Sequence, residues 1–379
     1  MAGIYIHIPF CKKLCNYCDF YHVIAKKDNA PVIEALLREA SLRRDYLGSE
    51  QVNTIYFGGG TPSVLSVKEI ESIYSALKAG FNISEESEIT IELNPDDITP
   101  EYMSGLKRTG INRISIGVQS WRDKDLKLLN RRHTGIQAEK AINDALHAGF
   151  VNVTIDLIYG IPEMNSEEWA KNLDKAFSFD IKHLSAYHLT IEPGTVFGKM
   201  KDKNLLTETD EEESISQFNI LVEKAEKAGF MHYEISNFGR PGYFSQHNSN
   251  YWKQVPYLGL GPSAHSFNRY SRQWNVRNLH QYMKSAGKGK LLSEREELSL
   301  KTRFNEYIMT SLRTMWGIDL NYMEMTFEKE GYDYVINTSG KFIKYGLMKQ
   351  EKNALILTNQ GMMISDNIIS EFMMPEDKS

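Results

Sequence analysis

Six short runs of β-branched and aromatic residues recur through the first half of this 379-residue sequence, and helical patterns separate most of them. The runs cover residues 3–8, 53–57, 89–93, 113–118, 153–158 and 183–189. Each is nearly continuous in apolar residues, the pattern of a strand buried on both faces of a parallel sheet. Apolar positions at helical spacing occupy residues 31–46, 67–79, 100–109, 136–148 and 167–178. Thr99-Pro100 and Asn165-Ser166 supply start signals for two of these helices. A parallel pair needs a long crossover, and a helix is the usual one, so the alternation specifies βαβ units and an α/β fold. Such a series closes into an open, partial (β/α)6 TIM-like barrel or spreads into a doubly wound sheet. The strand pattern alone does not choose.

After Thr190 the rhythm breaks. Residues 210–228 read as one long amphipathic helix. Residues 233–280 are rich in aromatics, Asn and Gly with little periodicity, and a long irregular stretch in a compact chain is more often functional than idle. From about Ser293 helical patterns return, with a short two-strand wing around Glu351–Asn353 and a last helix after Thr358. The expected organisation is a barrel over 1–210, an extension over 211–290, and a smaller, mostly helical, winged-helix-like domain over 291–379.

Charge and hydropathy exclude several classes. The net charge is −5 and the pI about 6.1, with no Lys/Arg run, so nucleic acid is not an expected partner. The sequence has no stretch of 18 apolar residues, so no integral membrane protein is expected. The N-terminal residues lack a signal-peptide pattern, and a cytoplasmic protein is the default expectation.

Three cysteines occur in all, and they lie within eight residues: Cys11, Cys15 and Cys18. An odd, tightly packed set makes a poor disulfide framework. The spacing C-x3-C-x2-C, just after the first expected strand, suits metal ligation. Three thiolates hold three irons of a [4Fe–4S] cubane and leave the fourth iron open to an amine and a carboxylate, such as those of S-adenosylmethionine. The other reading is a zinc site completed by His7 or His22. Thiolates suit both metals.

Gly58-Gly59-Gly60-Thr61-Pro62 follows the second strand. It reads either as a tight turn or as a backbone cradle for a ligand. Glu92 and Asp156 lie in otherwise apolar strands, and Gln119 and Arg131 lie just beyond a third. A carboxylate inside a barrel needs a partner or a ligand. The bland solution is an ion pair with Arg131.

The segments YIHIPFCKKLCNYCDF, YFGGGTPS, IELNPDD, SIGVQS, LNRRH and IDLIYGIP resemble the radical S-adenosylmethionine superfamily, and the likeness runs over almost the whole chain. They are similar to the branch that holds the oxygen-independent coproporphyrinogen III oxidase and a family of heme chaperones. The resemblance implies that Tyr5, Tyr17, Gly59, Gly60, Thr61, Glu92, Gln119, Arg131 and Asp156 touch S-adenosylmethionine. It also implies that Cys11, Cys15 and Cys18 hold the cluster.

Within that branch the sequence leans away from the oxidase. The oxidase carries a further cysteine where this chain has Phe20, and a longer segment before its cluster; here ten residues precede Cys11. His265 stands where the oxidase has an apolar residue. The element His247-Asn-Ser-Asn-Tyr251-Trp252 resembles the HNxxYW mark of the chaperones. His247 then offers a heme ligand, and Tyr251 and Trp252 offer flat apolar surface. By residues alone His247 is better read as a satisfied loop histidine beside two core aromatics. Many relatives have a cysteine where this chain has Ser245, and a thiol-linked heme has no spare cysteine to use. The expected function is a heme chaperone that passes heme to acceptor proteins, respiratory ones among the candidates. The competing reading is a radical enzyme acting on a tetrapyrrole.

Overall fold

The computed structural model describes residues 1–25 and 28–375. The last four residues of the expected third segment therefore lie outside the described residues. The six expected strands all form: β1 (Ala2–Ile8), β2 (Val52–Gly59), β3 (Ile83–Leu93), β4 (Arg113–Gln119), β5 (Asn152–Tyr159) and β6 (His183–His188). They lie side by side in chain order, and every neighbouring pair is parallel. A doubly wound sheet reverses its strand order at a switch point. The unbroken order seen here is that of a barrel arc, which resolves the choice left by the sequence.

Helices α1 (Ala30–Leu42), α2 (Val67–Gly80), α3 (Pro100–Thr109), α4 (Gly135–His147) and α5 (Ser166–Phe177) make the crossovers. Three of them start with reciprocal side-chain caps: Ser66 with Glu69, Thr134 with Gln137, and Asn165 with Glu168. The Thr99 side chain accepts from the Tyr102 N–H at the head of α3. Each such cap is worth about 1 kcal/mol. Helix α1 stops four residues short of its expected end, and β3 begins six residues earlier than expected. The early part of β3 is polar (Ser84 to Glu88) and gave no apolar signal.

The irregular stretch supplies more sheet than its composition suggested. Strands β7 (Met231–Glu234) and β8 (Asn237–Gly239) cover the outer edge of β6. Strand β9 (Tyr257–Leu260) pairs parallel with the free edge of β1, Tyr5 opposite Gly259, and adds a seventh parallel strand to the arc. Strands β10 (His265–Phe267), β11 (Ser271–Asn275) and β12 (Ser293–Glu297) continue antiparallel beyond it. Helix α6 (Glu211–Lys227) packs beside α5, and the short helix α7 (Gln246–Trp252) abuts β1 and β2.

One apolar core runs from Ala2 to Ala286 and is made of the barrel strands and the inner faces of their helices. A second, from Phe304 to Phe372, belongs to the C-terminal region. There α8 (Leu300–Ser311) and the long α9 (Leu320–Lys344) pack on a three-stranded sheet of Ile318–Asp319, Ala354–Leu357 and Met348–Glu351. Helix α9 is broken at Glu328, whose φ is 59°. No helix among the described residues is long and apolar enough to cross a membrane.

Candidate functional site

The three cysteines sit on the loop that leaves the C-terminal end of β1. The 128–133 segment, LNRRH with its preceding leucine, holds this loop in place. The Asn16 side-chain amide donates to the Leu128 carbonyl (2.8 Å), the Asn16 N–H donates to the Leu129 carbonyl (3.2 Å), and the Asn130 amide donates to the Leu14 carbonyl (2.7 Å). Lys12 is anchored on Asp97 at 2.5 Å. Two polar side chains donate to the sulfurs themselves: Thr61 Oγ1 to Cys11 Sγ and Arg131 Nη1 to Cys15 Sγ, each at 3.5 Å.

Behind the sulfurs lies a cavity of about 370 Å³, at the C-terminal ends of the strands. That is where α/β barrels bind their ligands, because the loops there are free to vary. Tyr17, Gly59, Gly60, Thr61, Glu92, Gln119, Arg131 and Asp156 all line it together with the three cysteines. Two glycines of the GGG run are demanded by geometry. Gly59 has φ +105°, and a Cβ there would come within 2.6 Å of the His7 ring; a Cβ on Gly60 would meet the Phe10 carbonyl at 2.8 Å. The backbone can thus lie directly under the cluster loop while also facing the cavity. Gln119 ends β4 at φ 67°, an unusual conformation for a residue with a side chain.

The expected ion pair between Arg131 and the two acids is not formed. Arg131 donates instead to Asn94 Oδ1 (2.7 Å), to the Gly117 carbonyl (2.8 Å) and to Cys15. Glu92 accepts from the Tyr56 hydroxyl (2.8 Å), and Asp156 accepts from the Ser115 hydroxyl (3.0 Å). Both acids line the cavity and neither makes an ion pair among the described residues, although Arg113 and Arg131 act on Asp156 from further off. Loss of water pushes the Glu92 carboxyl up to about 7, and the negative charge of Asp156 adds to the shift. Desolvation also raises Asp156, against the hydrogen bonds of Ser185 and Ser115. Two such acids side by side call for a ligand that brings donors or positive charge.

The zinc reading finds support only at His22, whose Nδ1 lies 3.9 Å from Cys18 Sγ. Among the described residues no three His, Cys, Asp or Glu side chains converge on a single ion position. His7 cannot complete a set, because its Nδ1 meets the Tyr5 hydroxyl (3.1 Å) and its Nε2 the Tyr21 carbonyl (2.9 Å). Cysteines that each take a different iron need not converge in that way. Burial pushes the Cys18 thiol up to about 11, and the neighbouring sulfurs oppose its ionisation further. The donor set fits a [4Fe–4S] cubane, which Cys11, Cys15 and Cys18 would hold beside Arg131 and the two acids.

Two expected contacts are corrected. Tyr5 does not line the cavity; it stands one layer below, stacked on Tyr56 with ring centres 6.2 Å apart, its hydroxyl on His7. His247 lies beneath the cavity, its ring stacked on that of Tyr56 with centres 5.0 Å apart; it is 2% exposed and has no open nitrogen. Its Nδ1 is 2.8 Å from Thr54 Oγ1 and its Nε2 is 3.0 Å from the Tyr251 hydroxyl. Its N–H and that of Gln246 donate to Glu88 (2.9 and 3.0 Å), which faces Arg113 at 3.8 Å. The HNxxYW helix α7 is thus a plug in the barrel base, because its donors meet the polar groups that the first residues of the strands leave there. Conversely, Tyr56, Asn94, Ser115 and Ser185 take part in the site without having been read from the sequence. They hold other side chains, and no motif marks that work.

Comparison with known proteins agrees with this geometry. The family model described as the radical SAM superfamily matches residues 5–176. The chain is 32% identical over 373 residues to the heme chaperone HemW of Lactococcus lactis, covering 98% of this chain and 97% of that protein. It is 33% identical to the heme chaperone HemW of Escherichia coli, covering 83% and 82%. Among solved structures, coproporphyrinogen III oxidase (HemN) from Escherichia coli, described as a radical SAM enzyme, superposes with a TM-score of 0.84 at 23% identity, covering 98% and 90%. That last likeness concerns the fold.

Proposed function

Because the chain belongs to the HemW family of the radical SAM superfamily, we propose that it is a heme chaperone with a [4Fe–4S] cluster and exchangeable S-adenosylmethionine. The observation that carries the reading is the pair of buried acids, Glu92 and Asp156, facing the same cavity as three thiols with neither acid in an ion pair among the described residues. Cys11, Cys15 and Cys18 would hold the cluster. Arg131, already directed at Cys15, would receive the methionine carboxylate. Glu92 and Asp156 would accept hydrogen bonds from hydroxyl and amino groups of the nucleoside, and the backbone at Gly59 and Gly60 lets the ligand lie close. A reduced cluster of this kind supplies an electron that can cleave a C–S bond of the sulfonium.

The heme part of the reading rests on the family, since the relatives named above are heme chaperones. Phe20, 70% exposed at the cavity mouth, supplies no fourth thiol and so favours the chaperone over the oxidase, following the resemblance. Heme delivered to acceptor proteins is then the output. The test is anaerobic reconstitution, followed by heme titration and by incubation with coproporphyrinogen III. Saturable binding of about one heme per chain, with no protoporphyrinogen formed, is the expected result. Turnover of coproporphyrinogen without heme binding would overturn it.

A further inference from the structure

The histidine expected to take heme iron is sealed inside the barrel, whereas another imidazole lies beside an apolar, cationic concavity. His188, at the end of β6, meets that description. It is exposed and lines the mouth of the cluster cavity. Its Nε2 lies 3.1 Å from the Ser214 hydroxyl, and Nδ1 makes no hydrogen bond among the described residues. The ring is positioned rather than loose. It sits edge-on to Tyr159 (5.1 Å), and a Cβ on Gly160 would strike it at 2.6 Å.

A second concavity of about 450 Å³ adjoins this mouth across the cluster loop, and Phe20 lines both. Phe20 is 70% exposed, Val196 47% and Tyr187 43%. Exposed apolar side chains gathered at one opening mark a surface that something apolar covers. The second concavity also carries Lys199, on the short helix Val196–Asp202, and Arg277. Neither has a carboxylate partner among the described residues; Arg277 donates to the Asp19 carbonyl (2.9 Å), and the Asp19 carboxylate, which lines the same concavity, pairs with neither. Flat apolar surface, one imidazole and two unneutralised cations match an iron porphyrin that carries propionates.

We propose that heme docks across the mouth of the barrel with His188 as its iron ligand, its ring against Phe20 and Tyr187, and its propionates on Lys199 and Arg277. This rests on the heme reading above and assigns it a place. The site is at the cluster end of the barrel, so docked heme would cover the entrance to the S-adenosylmethionine cavity.

The test is titration of the reconstituted holoprotein with hemin and with hemin dimethyl ester, following the Soret band. His188→Gln, which retains a hydrogen-bonding group near Ser214, should weaken hemin binding about tenfold or more and change the Soret position. It should keep the iron–sulfur absorption. Lys199→Glu should weaken hemin and leave the diester, which lacks propionate charge, unaffected. His247→Gln, with its cluster intact, should bind hemin as the native protein does. Native hemin binding with an unchanged spectrum in His188→Gln would overturn this site while leaving the chaperone reading standing. Absence of saturable hemin binding by the native protein would remove both.

Discussion

Glu88 and Glu92 project from the same face of β3 toward opposite ends of the barrel, Glu88 into its base and Glu92 into the cavity. At the base Glu88 accepts two backbone N–H groups of α7 and faces Arg113, which in turn donates to Thr154 Oγ1 at 2.6 Å. Thr54 on β2 meets His247 there. Two residues further along the same strands, Tyr56 and Asp156 belong to the cavity end. There Glu92 has one hydroxyl donor, and neither it nor Asp156 is in an ion pair among the described residues. The same residue types on the same strands are structural where the chain closes its own polar network. They become a ligand site where it leaves the network open.

The largest effect that would test this contrast is at the sulfurs. The native protein should carry about four irons and four sulfides per chain after anaerobic reconstitution, and Cys15→Ala should carry none. Stoichiometric zinc with no iron–sulfur absorption would break the account at the cavity end. The next effect is at the base. Arg113→Met strands Glu88 beside two N–H donors and should destabilise the fold by about 3–5 kcal/mol. Whatever remains folded should bind S-adenosylmethionine as before. Thermal unfolding together with a binding isotherm reads both.

Smaller, and opposite in kind, are the variants Glu92→Gln and Asp156→Asn. Each should weaken S-adenosylmethionine about tenfold or more, about 1.4 kcal/mol, without lowering the melting temperature. A fall in stability as large as that of Arg113→Met would erase the distinction between the two ends. The pH dependence tests the cavity end separately. With its carboxyl raised to about 7 from an ordinary 4.5, Glu92 binds its proton more tightly folded than unfolded. Ligand-free stability therefore falls as pH rises from about 4.5 through 7, because the native state holds the extra proton in that window. Glu92→Gln should flatten this slope, as urea titrations across pH would show.

The barrel strands were legible because each is a nearly continuous apolar run, but their order was not, since a barrel and a doubly wound sheet share that pattern. Strand β9 was not legible: Tyr-Leu-Gly-Leu sits between turn residues, and only the free edge of β1 makes it a strand. The cysteine loop, the GGG run and the acids in apolar strands announced the cavity, since each breaks a local rule in a way that chemistry explains. Tyr56, Asn94 and Ser115 announced nothing, because polar residues that orient other side chains carry no spacing of their own. His247 was misplaced for a related reason. Its motif tells that a histidine stands beside aromatics, but which end of the barrel it enters is set by Glu88 and Arg113, more than a hundred residues away in sequence.

The most direct measurement is the EPR spectrum of the reduced cluster with and without S-adenosylmethionine. If Cys11, Cys15 and Cys18 hold a cluster with one open iron, the spectrum should change on addition in the native protein. The Glu92→Gln and Asp156→Asn variants should need a higher concentration for the same change. A spectrum that stays the same at saturating S-adenosylmethionine, in a protein whose iron and sulfide contents are complete, would contradict the account.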